Sequence, residues 1–344
     1  MPGITGMMTT FNTPNFVGEL FGITPTDTPL LSAIGGLTGG ESTDSVIFTW
    51  QSYDLRPPDD SRQRLEGADA PEPEARVKWN AFNIVEVHHE ALSISYTRQA
   101  ATGQFASTGS RMPNAVGITG TNPVGDELAW QTQRALEQIA RDVEQTFLTG
   151  RFHQPEDNTA PRRTRGLLEA IDTNVIAHST PVELSEEMVL DLLQRVWETG
   201  GITVSETATL IVNAWQKRLL TKIFITDKRF QEQTRNVGGV NLQTIETDFG
   251  RLNIMLNRYL PSDTVVVASL DELAPVFLRV PGRGFLFPEE LAKTGSSDRF
   301  QLYGEVGLRY GNERTHGKIT NLTTGPSRHG GATTVDRPRR GRGE

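Results

Sequence analysis

Apolar positions along this chain alternate in two early runs, recur at helical spacing in two later ones, and vanish between them. Val46–Tyr53 (VIFTWQSY) and Phe82–Thr97 (FNIVEVHHEALSISYT) are rich in β-branched and aromatic residues and read as strands. Between them, Asp54–Lys78 holds seven acids, five bases and four prolines, which leaves no apolar face to pack. A long connection without structure of its own is uncommon inside a compact domain. With a strand on either side, the pattern predicts a hairpin whose tip projects from the body toward a partner. A monomeric enzyme has little use for such a projection; a subunit that tiles with copies of itself does.

The strongest helical signal spans Asp126–Thr149. Leu128, Leu136, Ile139, Val143 and Phe147 fall on one face, and Gln131, Arg134, Gln138, Arg141 and Gln145 on the other. Asp126 and Glu127 suit the positive end of the helix dipole, Glu137 and Arg141 have the spacing of an i,i+4 pair, and Gly150 supplies a stop. Such a rod is roughly 35 Å long. A second helix is expected over Ser185–Thr199, capped by Ser185, with Met188, Val189, Leu192, Leu193 and Val196 as its apolar face. A third is expected over Trp215–Ile225. Leu210–Val212 and Val265–Ala268 read as buried strands. Val240–Thr247 and Leu252–Leu260 form a hairpin around Asp248-Phe249-Gly250, and Phe300–Tyr310 and Lys318–Leu322 close the fold as strands.

The remaining segments are connectors. Residues 1–45 are rich in Thr, Gly and Pro and form an arm too small and polar to fold alone. Leu30, Leu31 and Ile34 give it one short helical patch, entered by the extended Thr28-Pro29 dipeptide and ended by Gly35-Gly36. Residues 100–125 are a Gly/Ser/Thr/Pro linker. A basic, polar loop follows the long helix and leads to an apolar patch at Leu167–Ile171, and residues 325–344 are a polar, basic tail.

Composition narrows the class. At 344 residues the chain can bury a sizeable core in two or three domains. A hydrophobic share of 36% against 22% charged excludes wholesale disorder. Without cysteine there are no disulfides and no thiolate metal sites. No apolar run reaches the ~20 residues that span a bilayer, and no secretion signal opens the chain, so a cytoplasmic, soluble product without a membrane partner is expected. A net charge of -8 argues against a general nucleic-acid-binding surface.

Little chemistry is spelled out. Glu86, His88, His89 and Glu90 resemble a metal cluster, but neighbouring strand residues point to opposite faces, so only Glu86, His88 and Glu90 could share an ion. A solvated strand face is the preferred reading, and no metal or cofactor is expected. The glycine-rich GITGTNPVG and VPGRGF segments lack the Lys-Ser/Thr of a phosphate loop and read as turns. No G-x-S-x-G elbow is present, and Asp59 and Asp60 stand in an open loop. At the tip, Arg62, Arg64, Glu66 and Asp69 are candidate inter-subunit contacts. In the tail, Arg328, Arg337, Arg339, Arg340 and Arg342 could meet nucleic acid or an acidic neighbour, or simply keep the terminus solvated.

Taken together and in order, PTDTPLLSAIG, the FTWQSYDL to EGADAP stretch, ELAWQTQRALEQIARDVEQTFLTG, TDFGRLNIMLNRYLP and RFQLYGEVGLRYGNERTHGKITNLT resemble the SU-ten-type major capsid proteins of tailed bacteriophages. The resemblance runs from about Thr24 to Thr323 and is weakest between Ala177 and Gly238. It implies an α+β chain with the Hong-Kong-97-type capsid fold. Residues 1–45 would be the N-terminal arm and 46–99 the extended loop. Residues 100–181 and 276–324 would be a peripheral domain built on a spine helix at 126–149, and 182–275 an axial domain. It further implies hexamers and pentamers of an icosahedral head assembled in the bacterial host cytoplasm, portal and scaffolding proteins as partners, a decoration protein in some relatives, and packaged double-stranded DNA. The short arm leaves no room for a fused scaffolding domain. Lys78, the one lysine of the hairpin region, is placed at its base, so the covalent cross-linking of some relatives is not carried over. Two other functions fit parts of the pattern: an encapsulin-like compartment for a protein cargo, and a metal-dependent hydrolase using Glu86, His88 and Glu90.

Overall fold

The computed structural model describes residues 26–55, 58, 60, 63–70, 72, 74–100, 127–202, 208–226, 243–293 and 295–325. Among them, strands form three sheets. In the smallest, β2 (Ile47–Tyr53) pairs antiparallel with β3 (Lys78–Ile84), Ile47 opposite Ile84 and Tyr53 opposite Lys78. The second sheet is built on the long strand β12 (Ser297–Arg309). One side of β12 carries β4 (Glu86–Ser95). The other carries β10 (Ala274–Leu278) and β11 (Leu286–Glu290) end to end, with β1 (Glu41–Thr43) added parallel to β10. The third runs β5 (Val175–Val182), β13 (Gly317–Leu322), β9 (Val265–Ser269), β6 (Ala208–Val212), β8 (Gly250–Leu256), β7 (Thr244–Thr247). The helices are α1 (Pro29–Ala33), α2 (Tyr96–Ala100), α3 (Glu127–Thr149), α4 (Leu167–Ala170), α5 (Glu186–Glu198) and α6 (Ala214–Thr221).

Two apolar cores share the six-stranded sheet. Every residue of β6 and β9 is buried, as continuous apolar strands covered on both faces must be. Ile211, Val266 and Ala268 join the core made by α1, α3, α4 and the β12 sheet. Leu210, Val212, Val265 and Val267 face the core of α5 and α6. Successive strand residues alternate faces, so a single strand serves both. His316 ties the sheets where β9 and β12 end: its Nδ1 accepts from the Ser269 amide at 3.2 Å, and its Nε2 lies 3.0 Å from the Tyr310 carbonyl. Complete burial lowers its pKa to about 4.

α3 and α5 follow the sequence pattern. Ser185 Oγ accepts from the Met188 amide at 3.3 Å, and Val189, Leu192, Leu193 and Val196 are buried. Other local expectations give way to packing. The Phe82–Thr97 run is not one strand: at Val85 it leaves the hairpin and enters the β12 sheet. The Val85 amide still donates to Val46 O at 3.0 Å, in register with the hairpin, but its carbonyl leaves the ladder and accepts from Arg162 Nε at 2.9 Å. On α3 the expected Glu137–Arg141 pair is replaced. Glu137 binds Arg134 at 2.8 Å, and Arg141 turns to Gln138 and to the Tyr259 hydroxyl. β5 and β13 hydrogen-bond into the six-stranded sheet, which therefore extends beyond residues 182–275 at both ends. Residues 101–126, which hold GITGTNPVG, lie outside the described residues.

Candidate assembly surfaces

The hairpin is fixed at one end and bare at the other. Phe48, Val85 and Val276 form a small core beneath its base. Trp50 lies edge-on to Tyr310 with ring centroids 4.8 Å apart, and its Nε1 donates to Gly311 O at 2.8 Å. Across the base, Asn83 is buried and acts as a side-chain splice. Its Nδ2 donates to Leu308 O (2.7 Å) and Arg165 O (3.0 Å), while its Oδ1 accepts from the Arg165 amide (2.9 Å). The basic loop after α3 is thereby stitched to β3. Arg165 stacks 4.7 Å from the Phe152 ring, which meets Phe82 edge-on at 5.7 Å. Arg162 pairs with Glu305, whose other oxygen accepts from the Tyr303 hydroxyl at 2.5 Å. Burial and that carboxylate push the phenol pKa up to about 12.

Beyond Trp50 the apolar side chains lose their cover. Tyr53, Leu55 and Trp79 are exposed, and Val77 and Leu65 reach 74% and 87%. Full burial of one such side chain is worth about 1.5–3 kcal/mol, and the subunit leaves that unrealised. Arg64, Glu66 and Asp69 are exposed in the connection, while Arg62 lies outside the described residues. Sequence reasoning singled out these tip charges and passed over the apolar residues beside them, although Leu55, Leu65 and Val77 stood out in a stretch otherwise polar. Lys78 is also corrected. Paired with Tyr53, it sits at the far end of the strands and not at the hairpin base.

Of the arm's described residues, Thr26 and Asp27 are exposed, but Leu30, Leu31 and Ile34 are embedded in the body. Leu30 and Leu31 are buried against α3, and Asp27 pairs with Arg258 at 2.8 Å. The Thr28 side chain does not cap α1. That role passes to Glu144 of α3, fully buried, whose Oε1 accepts from the Leu30 amide at 2.9 Å and Oε2 from the Leu31 amide at 2.6 Å. Asn257 Nδ2 donates to the same Oε1 at 2.5 Å. Burial raises the Glu144 pKa, and the three donors counter that rise.

At the other terminus the chain crosses α6. Gly325 lies flat on Trp215, where an added Cβ would fall 2.2 Å from the ring. The carboxamide of Gln216 holds the approach by donating to Ser262 O and Thr323 O. Arg328, Arg337, Arg339, Arg340 and Arg342 lie beyond, outside the described residues.

The Glu86–His88–Glu90 face is not solvated, which corrects one expectation. It is the inward face of β4, packed toward α3, with Val87 and His89 turned outward. Burial lowers the His88 pKa against the pull of Asp142 and raises those of Glu86 and Glu90. Glu86 accepts from the Thr164 amide at 3.2 Å, so it serves the same seam as Asn83. Among the described residues no group of three His, Asp or Glu is placed to hold a metal ion. Val280–Phe285 is a tight turn between β10 and β11, closed by a Val280–Gly284 bridge. Asn321 holds a left-handed backbone, with its Nδ2 on His178 O at 2.8 Å. No helix among the described residues is long and apolar enough to cross a membrane.

Known proteins bear on this architecture. The model of the SU10 major capsid protein family matches residues 3–323. The major capsid protein of Escherichia phage Phieco32 is 23% identical, the match covering 89% of this chain and 93% of that one. In structure, the capsid asymmetric unit of cyanophage A-1(L) superposes with a TM-score of 0.65 at 12% identity, over 93% of this chain and all of that one. The holo-SrpI encapsulin of Synechococcus elongatus PCC 7942 follows at 0.52 and 11%, over 90% and 92%, so the fold alone does not separate capsids from encapsulins. The family match does: this chain has the Hong-Kong-97-type capsid fold, belongs to the SU10 major capsid protein family and is accordingly a structural capsid subunit rather than an enzyme.

Proposed function

We propose that the subunit forms the hexamers and pentamers of an icosahedral head and that the hairpin's distal half is the surface by which each copy grips the next. The observation that carries this is the contrast along one hairpin: a base locked by Trp50 and Asn83, and a distal half whose Tyr53, Leu55, Leu65, Val77 and Trp79 stay 47–87% exposed. Burying those residues against a neighbour supplies the attraction, and Arg62, Arg64, Glu66 and Asp69 set register and encounter rate. Each contact is weak, and closed symmetry repeats it.

Within this reading, residues 1–45 are the arm and 46–99 the extended loop. Residues 100–181 and 276–324 make the peripheral unit and 182–275 the axial one, with the six-stranded sheet crossing between them. Arg337, Arg339, Arg340 and Arg342 meet packaged double-stranded DNA or an acidic neighbour. Portal and scaffolding proteins act during assembly in the bacterial cytoplasm. Electron microscopy of the purified protein, expressed alone or with a scaffold, tests the reading. Capsomers or hollow closed particles are expected. A monomer at all concentrations, with the hairpin folded onto its own body, would overturn it. Particles that enclose a co-produced protein instead of DNA would favour the encapsulin-like alternative.

A further inference from the structure

Glu144 is a carboxylate in an unusual place. It lies in the C-terminal third of a long amphipathic helix, wholly buried, beside the apolar Val143 and Phe147. Isolated buried carboxylates are costly, and one retained in a core has partners that need it. Its partners come from separate pieces of the chain. The Leu30 and Leu31 amides belong to the arm, more than a hundred residues away, and Asn257 follows β8 of the six-stranded sheet. Asn257 is itself fixed: its amide donates to Val212 O at 2.9 Å, and its Oδ1 accepts from the Tyr259 amide at 2.9 Å. Arg141, one turn before Glu144, holds the Tyr259 hydroxyl at 3.0 Å. Asp27 on the arm raises the Glu144 pKa and is itself taken by Arg258.

We propose that Glu144 is the positioning residue of the arm: one buried carboxylate clasps the arm, the long helix and the six-stranded sheet together, and so fixes the arm's direction at Leu30 and Leu31. Apolar packing of Leu30 and Leu31 alone would hold the arm but not its angle, because apolar contact is non-directional. Two amides on two oxygens of one carboxylate define a direction. The arm cannot swing without leaving two amides unpaired in the core and the carboxylate held by Asn257 alone. The consequence for shell formation rests on the assembly reading above; the clasp does not.

Glu144→Gln tests it. The amide keeps the shape, but its NH2 must face either the Leu31 amide or the donors on Oε1, donor against donor. In the full-length free subunit, hydrogen exchange at the Leu30 and Leu31 amides should quicken by about tenfold or more, while the α3 and β6 amides keep their protection. Glu144→Asp, which keeps the charge and both acceptors, should restore part of that protection. Particle yield from Glu144→Gln should fall several-fold, with far-UV circular dichroism unchanged. Unaltered exchange at Leu30 and Leu31 would overturn the clasp, and so would faster exchange spread evenly over the α3 core, the mark of a merely structural role. Faster arm exchange with wild-type particle yield would overturn its bearing on assembly. Exchange is read on the free subunit, so it judges Glu144 whether or not wild-type particles form, and that second outcome judges the assembly reading alone. Should Glu144→Gln fail to fold, Asn257→Ala removes one of the three donors and leaves the carboxylate. Quicker exchange at Leu30 and Leu31 is again expected, and no change there overturns the proposal.

Discussion

The six-stranded sheet and the two-stranded hairpin come from the same chain and solve opposite problems. In β6 and β9 every side chain is covered on both faces by the subunit's own helices and by the neighbouring sheet. In the hairpin, cover stops at Trp50, and five apolar side chains beyond it face outward. The sheet completes its interactions when the subunit folds. The hairpin completes half of its own and leaves the rest exposed on the subunit. The two regions should therefore respond differently to substitution: the first through stability, the second through assembly.

Damage to the closed region should be largest. Val143→Asp places an unpaired carboxylate at a fully buried site beside Glu144, and a loss of about 3–5 kcal/mol is expected. Insoluble or unfolded protein by solubility and circular dichroism would bear this out; normal particles would show that this face is not buried. His316 gives a pH-dependent break of the same region. Its folded pKa, about 4, lies below the ordinary 6.5, so the unfolded chain takes up a proton that the folded chain refuses. Stability should be full above pH 6.5 and fall as the pH drops from 6.5 to about 4, by on the order of 3 kcal/mol. Chemical denaturation across that window, with the profile of His316→Gln subtracted, isolates the effect; parallel profiles would refute it.

The hairpin base should behave as an intermediate case. Asn83→Ala leaves the Arg165 amide and the Leu308 carbonyl without their partner, a cost of about 1–3 kcal/mol in urea denaturation. It should also open the hairpin to protease before the rest of the subunit unfolds. The smallest effect on stability is expected from the distal residues. Leu65→Ser with Trp79→Ser should shift stability by no more than about 0.5 kcal/mol, yet cut particle yield sharply. Arg62→Glu with Arg64→Glu should act like them, with an altered salt dependence of assembly. Wild-type yield from both pairs would end the distinction between the two regions.

The sequence made the closed region readable in part. Spacing along α3 and α5 and the continuous apolar runs of β6 and β9 reported burial because burial is what selects such patterns. β1, β10 and β11 escaped notice: each is five residues or fewer and is held by β12 or by β10, partners far away in sequence. β5, with Pro181 near its end, carries no clean alternation. Glu86, His88 and Glu90 look like a solvated strand face because polarity usually marks exposure; here α3 covers them. Glu144 was invisible for the same reason. A glutamate on a helix reads as surface, and only the arriving arm amides make its burial tolerable. The hairpin was legible from its charge-rich connection, but the reading dwelt on the charges and passed over the exposed Leu65 and Trp79.

The break at Val85 has a mechanical side. Were the hairpin to dock as proposed, a pull on it would be shared between the Trp50 and Asn83 anchors and β3, which leads into β4 at Glu86. From Glu86 to Ser95 the strand is laced to β12, Val306 through Ser297, residue by residue. Tension running along that strand loads the whole ladder in shear, so its hydrogen bonds resist together instead of opening one after another. Val85, anchored to Val46 and Arg162, is the fulcrum where the load changes sheets. Strain from a neighbour is thus delivered to the longest strand of the fold and spread over it.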